Sequence, residues 1–310
     1  VLLFTDGLAT DGIRHTPALV DAVSKAVAEV RTPINLFAFG FGSDHDDQCL
    51  RKLASGTSSG SMYYYVGTAE DIPTAFADCL GGLVSVVAQN AVLSLSAVEG
   101  GASIVRVLGS TYSRNAADGS IELGDLLAKD EKDLLVELRL PSLPSAAGAA
   151  APVLRASLRA FNIAKAQTET AHAVLEVARP DSTPADQPTN MAIEVQKMRI
   201  MAAEAMESAS ALADGGNIEA GRQALLSMRG ALMASPAAPS DLGRALTAEM
   251  DGLTMQYSTE HAYRSVGSKA TKMSSLSHAR QRATHSNEGA YSGAMSMKRA
   301  MKASWTSSAP

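Results

Sequence analysis

Apolar residues follow one rhythm over the first ninety positions and another after Gln89. Val1–Phe4 and Ile34–Phe41 are runs with no polar face, as expected of strands covered on both sides in a parallel sheet. Between them, Leu19, Val20, Val23, Val27 and Val30 recur at helical spacing. They predict a helix from about Thr16, with Thr16 as N-cap and Pro17 at the first helical position. A short helix over about Asp47–Ala54, a strand at Met62–Val66 and a helix over about Ala69–Gln89 complete an alternating β/α order.

Beyond Gln89 the pattern turns to strands, at Asn90–Ala97, Ser103–Val107, Ser120–Leu123, Leu134–Leu140, Val153–Asn162 and Ala171–Val177. Gly100-Gly101, Asp118-Gly119 and Pro141 punctuate them, and alternation in Ala91–Ala97 and Leu134–Leu140 predicts half-buried antiparallel strands. Lys129–Asp133, all charged, reads as a solvated turn, and Ser142–Ala151 as a disordered Ser/Ala loop. Helical patterns follow a Pro-containing linker, at Met191–Ala213, Ile218–Met233 and Leu242–Tyr257, with Ser240 or Asp241 able to cap the third.

Composition refines this outline. The chain is 46% hydrophobic and 19% charged with net charge −5, which excludes an overall electrostatic nucleic-acid binder. From His261 onward, Lys or Arg stand at 264, 269, 272, 280, 282, 298, 299 and 302 against Glu288 alone, the signature of a solvated basic tail. No apolar run reaches the roughly 18–20 residues of a membrane span. The two cysteines, Cys49 and Cys79, form neither a disulfide framework nor a zinc spacing, so the expected setting is reducing, intracellular and cytoplasmic. The opening on a doubly apolar strand without Met leads to the expectation of a fragment that starts mid-domain.

Two strings carry a family resemblance. Thr5-Asp6-Gly7, at the end of an apolar strand, and Phe39-Gly40-Phe41-Gly42-Ser43-Asp44-His45-Asp46 are similar to signatures of von Willebrand factor A (VWA) domains. The second string resembles a subgroup that includes plant RING-type ubiquitin ligases and VWA/Hint proteins. The likeness continues through Gly60–Val66 and Ala75–Val87, and later through Ala203–Met206, Ala211–Gly216 and Ser274–Thr284. In that family a metal site combines a DxSxS motif, a Thr from a second loop and the Asp of TDG. Only Asp6 matches here, so the resemblance implies Asp6 as a metal ligand, with Mg2+ or another divalent cation expected only in the intact domain and weak or absent without the other ligands.

The fold expected is therefore α/β. Residues 1–89 would be the C-terminal portion of a VWA domain with a Rossmann-like parallel sheet, and 90–178 a β-sandwich. A linker at 179–189, an α-helical hairpin or bundle at 190–260 and a largely disordered basic Ser-rich tail at 261–310 follow. Asp44, Asp46 and Asp47 with His45 resemble a metal cluster but lack the downstream bidentate Glu of a Ca2+ loop, so capping of the following helix is the preferred reading. Thr10-Asp11-Gly12 reads as a turn, and the cysteines as buried small hydrophobes. No nucleophile stands at recognisable spacing from a base, which leaves enzymatic activity undetermined. The expectation is a non-catalytic protein-interaction module with protein partners, no membrane and no specific nucleic acid. The alternative is the substrate-recognition part of a RING-type ubiquitin ligase whose RING lies upstream.

Overall fold

Three parallel strands in sequential order form the first sheet: β1 (Leu2–Thr5), β2 (Phe37–Phe41) and β3 (Met62–Val66). Phe4 aligns with Phe39 and Phe39 with Tyr64, so aromatic rings line one face of the sheet. The computed structural model describes residues 1–282 except 7, 31–33, 59, 99–101, 110, 113, 116, 144–146, 181 and 183–186. Helices α1 (Thr16–Glu29) and α2 (Asp47–Thr57) carry the two crossovers and lie together on one face, as right-handed connections between sequential parallel strands require. On the other face, α3 (Ile72–Val84) presents Phe76, whose ring stacks on Phe4 at 5.3 Å and on Phe39 at 5.0 Å.

Helix α3 ends at Val84, five residues before the expected end at Gln89. Ser85 turns the chain with its N–H and hydroxyl both donating to the Gly82 carbonyl, and β4 (Val86–Ala97) starts at once. The helix anticipated to Gln89 is thus shorter, because β-branched Val86 pairs with Leu127 instead. Antiparallel strands β4, β6 (Ser120–Leu127), β8 (Ala147–Asn162) and β9 (Gln167–Arg179) make one sheet in the order β6-β4-β8-β9. Strands β5 (Ser103–Val107) and β7 (Val136–Arg139) make a second. Both contribute to one apolar cluster, including Ala91, Ile121, Leu123, Ile104 and Leu138.

Where a disordered loop was expected at 142–151, β8 already starts at Ala147. Residues 144–146, the Gly100-Gly101 break and much of the 179–189 linker lie outside the described residues. The supposed solvated turn is also different: the Lys132 and Asp130 side chains are each only 5% exposed and pair at 3.1 Å. Lys132 also donates to the Arg280 carbonyl at 3.1 Å, and burial pushes its ammonium down to about 8. Charge alone suggested solvent; a distant helix end supplies the acceptor.

Helices α4 (Met191–Asp214), α5 (Ile218–Ala234) and α6 (Asp241–Gln256) pack around Met206, Leu225, Leu232, Leu246 and Met250. Asn190, Asn217 and Ser240 cap them by accepting backbone N–H bonds three residues on. A short α7 (Glu260–Ala262) and one π-helical turn (Tyr263–Gly267) then lead into α8 (Ser268–Arg280).

Helix α8 corrects the expectation of a largely disordered tail over 261–280. It lies beside α2, over β3, and against α4. Met273 and Leu276 enter the first sheet's core, each worth about 1.5–3 kcal/mol on full burial. The Met273 sulfur also accepts the Tyr65 N–H at 3.4 Å. The helix ends at Gln281 in the left-handed region (φ 52°), and the Gln281 amide exchanges two hydrogen bonds with the Asp133 backbone, at 2.8 and 3.0 Å. The rest of the expected tail, 283–310, lies outside the described residues.

Candidate functional site

The C-terminal ends of parallel strands share one edge, and there the loops diverge to leave a crevice. Here a cleft of about 380 Å³ opens between β1, α1 and α2, with Leu3, Thr5, Leu8, Arg14, Leu19 and Asp46 among its walls. Asp6 follows Thr5 at the same edge and is exposed. Leu8 and Ile13, on the loop from β1 to α1, are exposed large apolar residues, and Arg14 adds one cation beside them.

Most acidic residues near this edge already have local work. Asp46 caps α2 by accepting the Cys49 N–H at 2.8 Å, and its other oxygen accepts the Thr16 hydroxyl at 2.9 Å. Thr16 is therefore no N-cap: His15 holds that position without a side-chain bond, and Thr16 ties α1 to α2. Asp11 accepts the Gly12 N–H at 2.8 Å, with Gly12 at φ 68°, in keeping with a turn. Asp44 accepts the Ser43 hydroxyl at 2.9 Å.

His45 is buried over β2, with Nε2 2.7 Å from the Tyr63 hydroxyl and Nδ1 3.3 Å from the Phe41 carbonyl. Burial, followed by the charge of Lys269, holds its imidazole below the usual range against the raising effect of the Phe41 carbonyl and Asp47. The ring needs Gly40: a Cβ there would sit 2.3 Å from its carbon Cδ2. In this way the FGFGSDHD string packs a histidine rather than presenting one.

Asp47, in the first turn of α2, reaches to the end of the chain's described part. Its carboxylate accepts the Ser268 hydroxyl at 2.6 Å and pairs with Lys272 at 3.1 Å. Lys272 is buried and also meets Asp214 at 2.8 Å and the Ser268 hydroxyl at 2.7 Å. Burial pushes the Asp47 carboxyl up, yet Lys272, Ser268 and Lys269 together bring it below its ordinary value. Sequence reasoning missed Lys272, and equally the buried pair of His278 with Glu249 at 2.5 Å. Only the resemblance over Ser274–Thr284 pointed to this segment.

Among the described residues, no group of three or more His, Cys, Asp or Glu side chains is placed to hold a metal ion. A hard divalent cation takes about six oxygen ligands, and Asp6 by itself does not supply them. Both cysteines are buried thiols outside any disulfide, and burial first, then the charge of Asp46, pushes the Cys49 thiol up, away from a reactive thiolate.

Residues 1–78 match the family model described as von Willebrand factor type A domain. That stretch is a VWA domain. Two solved structures share its fold beyond the VWA domain itself. One is a von Willebrand factor type A protein from Catenulispora acidiphila (TM-score 0.57, 15% identity, 79% of this chain and 57% of that one). The other is the ArnB paralog VWA2 from Sulfolobus acidocaldarius (TM-score 0.51, 15% identity, 94% of this chain and 64% of that one). Over 150 residues the chain is 31% identical to the E3 ubiquitin-protein ligase WAV3 of Arabidopsis thaliana, which covers 46% of this chain and 17% of that protein. The chain thus spans a small part of the curated relative it matches. VWA domains are protein-interaction modules, and no helix among the described residues is long and apolar enough to cross a membrane.

Proposed function

We propose that the chain is a non-catalytic interaction module that docks protein partners at the crevice beside Asp6. The observation that carries this reading is the cleft at the sheet's C-terminal edge, rimmed by exposed Leu8 and by Arg14. An apolar cleft with one cation suits an apolar anchor flanked by an acidic group on the partner. An intracellular, cytoplasmic setting belongs to this proposal, supported by two buried cysteines that form no disulfide.

A metal-dependent form of docking would use Asp6 as one ligand of Mg2+, with further oxygens coming from outside the described residues or from the partner. The test compares capture of partners by the parent chain and by Leu8→Asp, with Mg2+ and with EDTA. Loss of capture in the variant supports crevice docking; equal capture by both overturns it. Capture indifferent to EDTA removes the metal-dependent form alone.

A second reading, favoured by the 31% identity to WAV3, is substrate recognition within a RING-type ubiquitin ligase. With two cysteines, these residues hold no RING-like spacing, so the RING would stand outside them. Deleting this segment from a RING-bearing parent should abolish modification of the substrate while leaving self-modification intact. Loss of both, or of neither, would count against it.

A further inference from the structure

The VWA domain, the loop before β6, and helices α4 and α8 meet around a partly open cavity of about 270 Å³. Arg51, Ser55, Thr111, Glu207, Ser275 and Arg280 line it. Its charges do not balance. Glu207 is engaged by Arg51 at 2.6 Å, while Arg280 has no carboxylate partner among the described residues. The Arg280 side chain, with the residue 2% exposed, donates to two backbone carbonyls, Ser61 and Ala54, which accept hydrogen bonds without cancelling charge. The Nε–H groups of both Arg51 and Arg280 are buried and meet no acceptor among the described residues.

Burying a charge away from water is costly unless it is both paired and hydrogen-bonded. Water in the cavity would satisfy the donors but leave the charge uncompensated. An oxyanion does both, and the planar guanidinium fork matches phosphate geometry. The volume is several times one water's share and near the lower end for small ligands. A second polar groove, of about 360 Å³, shares Ser55 and Thr111 and runs past Asn115 and Ser120, leaving room for the organic part of a phosphomonoester.

We propose that this cavity binds a phosphate-type oxyanion, free or carried as the monoester of a small metabolite, between Arg51 and Arg280. The bound anion bridges α2 of the VWA domain to α8. Nothing in this inference depends on the docking crevice, which α2 lines with Cys49, Leu50 and Leu53 rather than with Arg51 and Ser55.

The test uses the full 310-residue chain, followed by thermal unfolding and calorimetric titration with inorganic phosphate and with glycerol phosphate. Chloride at matched ionic strength is the reference. Saturable stabilisation by phosphate beyond chloride is expected, and a tighter response to glycerol phosphate would identify the monoester as the ligand. Arg280→Gln tests the site directly but removes bonds that hold α8. Two further variants therefore decide the matter through Arg51, at the more accessible wall. Arg51→Gln should weaken phosphate binding about tenfold or more, the usual effect of losing a charge-assisted hydrogen bond. Glu207→Gln should tighten it, because the competing carboxylate is gone. Equal effects of phosphate and chloride on the parent, or unchanged phosphate affinity in both variants, would overturn the proposal.

Discussion

The Lys272 ammonium lies 3.1 Å from the Asp47 carboxylate across 225 positions of sequence. That contact joins the first turn of α2, in the VWA domain, to α8. Asp214 at the end of α4 completes the group from the helical part, at 2.8 Å. Three separately coded segments therefore share one buried cation.

Removing that cation should be expensive. Lys272→Met takes away the ammonium that both carboxylates contact and leaves them only the weaker influence of Lys269, and breaking a buried ion pair from one side costs about 3–5 kcal/mol. Urea unfolding monitored by circular dichroism gives the measurement. Asp214→Asn should cost less than Lys272→Met, since Asp47 remains to pair the ammonium. Similar losses from the two would contradict the shared-cation picture.

The Gly40–His45 contact makes a separate, steric prediction. Gly40→Ala places a methyl group 2.3 Å from the buried imidazole, an overpacking worth about 1–3 kcal/mol. His45→Ala removes the obstacle, so the double substitution should be less destabilising than the sum of the singles by about 0.5 kcal/mol or more. Strict additivity in a double-mutant cycle would show that the ring does not require Gly40.

Acid should weaken the fold through His45. Its ordinary value is 6.5, and in the folded chain it is lower because burial disfavours the imidazolium. The unfolded chain then takes up a proton first as pH falls through 6.5, so stability is lost over that window and levels off below the folded value. His45→Gln can still bond Tyr63 and has no proton to gain, so its stability should fall less steeply below pH 6.5. Asp47 acts in a lower window: held below its ordinary 3.8, it contributes stability that is fully present above that value and lost as pH drops through its folded value. Parallel pH profiles for the parent and His45→Gln would remove the histidine from this account.

Leu276→Ala, in α8, should destabilise by about 2–5 kcal/mol, as for a buried leucine elsewhere in a core. Asp6→Ala, at an exposed loop position, should shift unfolding by no more than about 0.5 kcal/mol while affecting any Mg2+-dependent partner capture. The contrast between the two, read in one denaturant series, separates a residue that holds the fold from one displayed at its edge.

The strands of the VWA domain were legible because they are apolar on both faces, and the helices from Met191 because their apolar residues recur at helical spacing and a cap marks the third. Helix α8 was not. Of its thirteen residues only Met273 and Leu276 are large and apolar, and the rest of the buried surface is Ser, Thr, Lys, His and Arg. Such residues read as solvated unless their partners are known, and those partners are remote: Asp47, Glu249, the Ala54 carbonyl. The same holds for Lys132, whose acceptor is the end of α8. At the crevice, sequence identified the capping role of the Asp44–Asp47 cluster, which Asp46 performs, but could not foresee that Asp47 would point away to Lys272.

Because α8 closes over β3, the order of biosynthesis matters. A nascent chain displays Met62–Val66 more than two hundred codons before Met273 and Leu276 are made. At ~5–20 residues per second that interval is on the order of ten seconds or longer. Throughout it, the tyrosine-bearing side of β3 lacks its final cover, which is the interval in which a ribosome-associated chaperone would find a substrate.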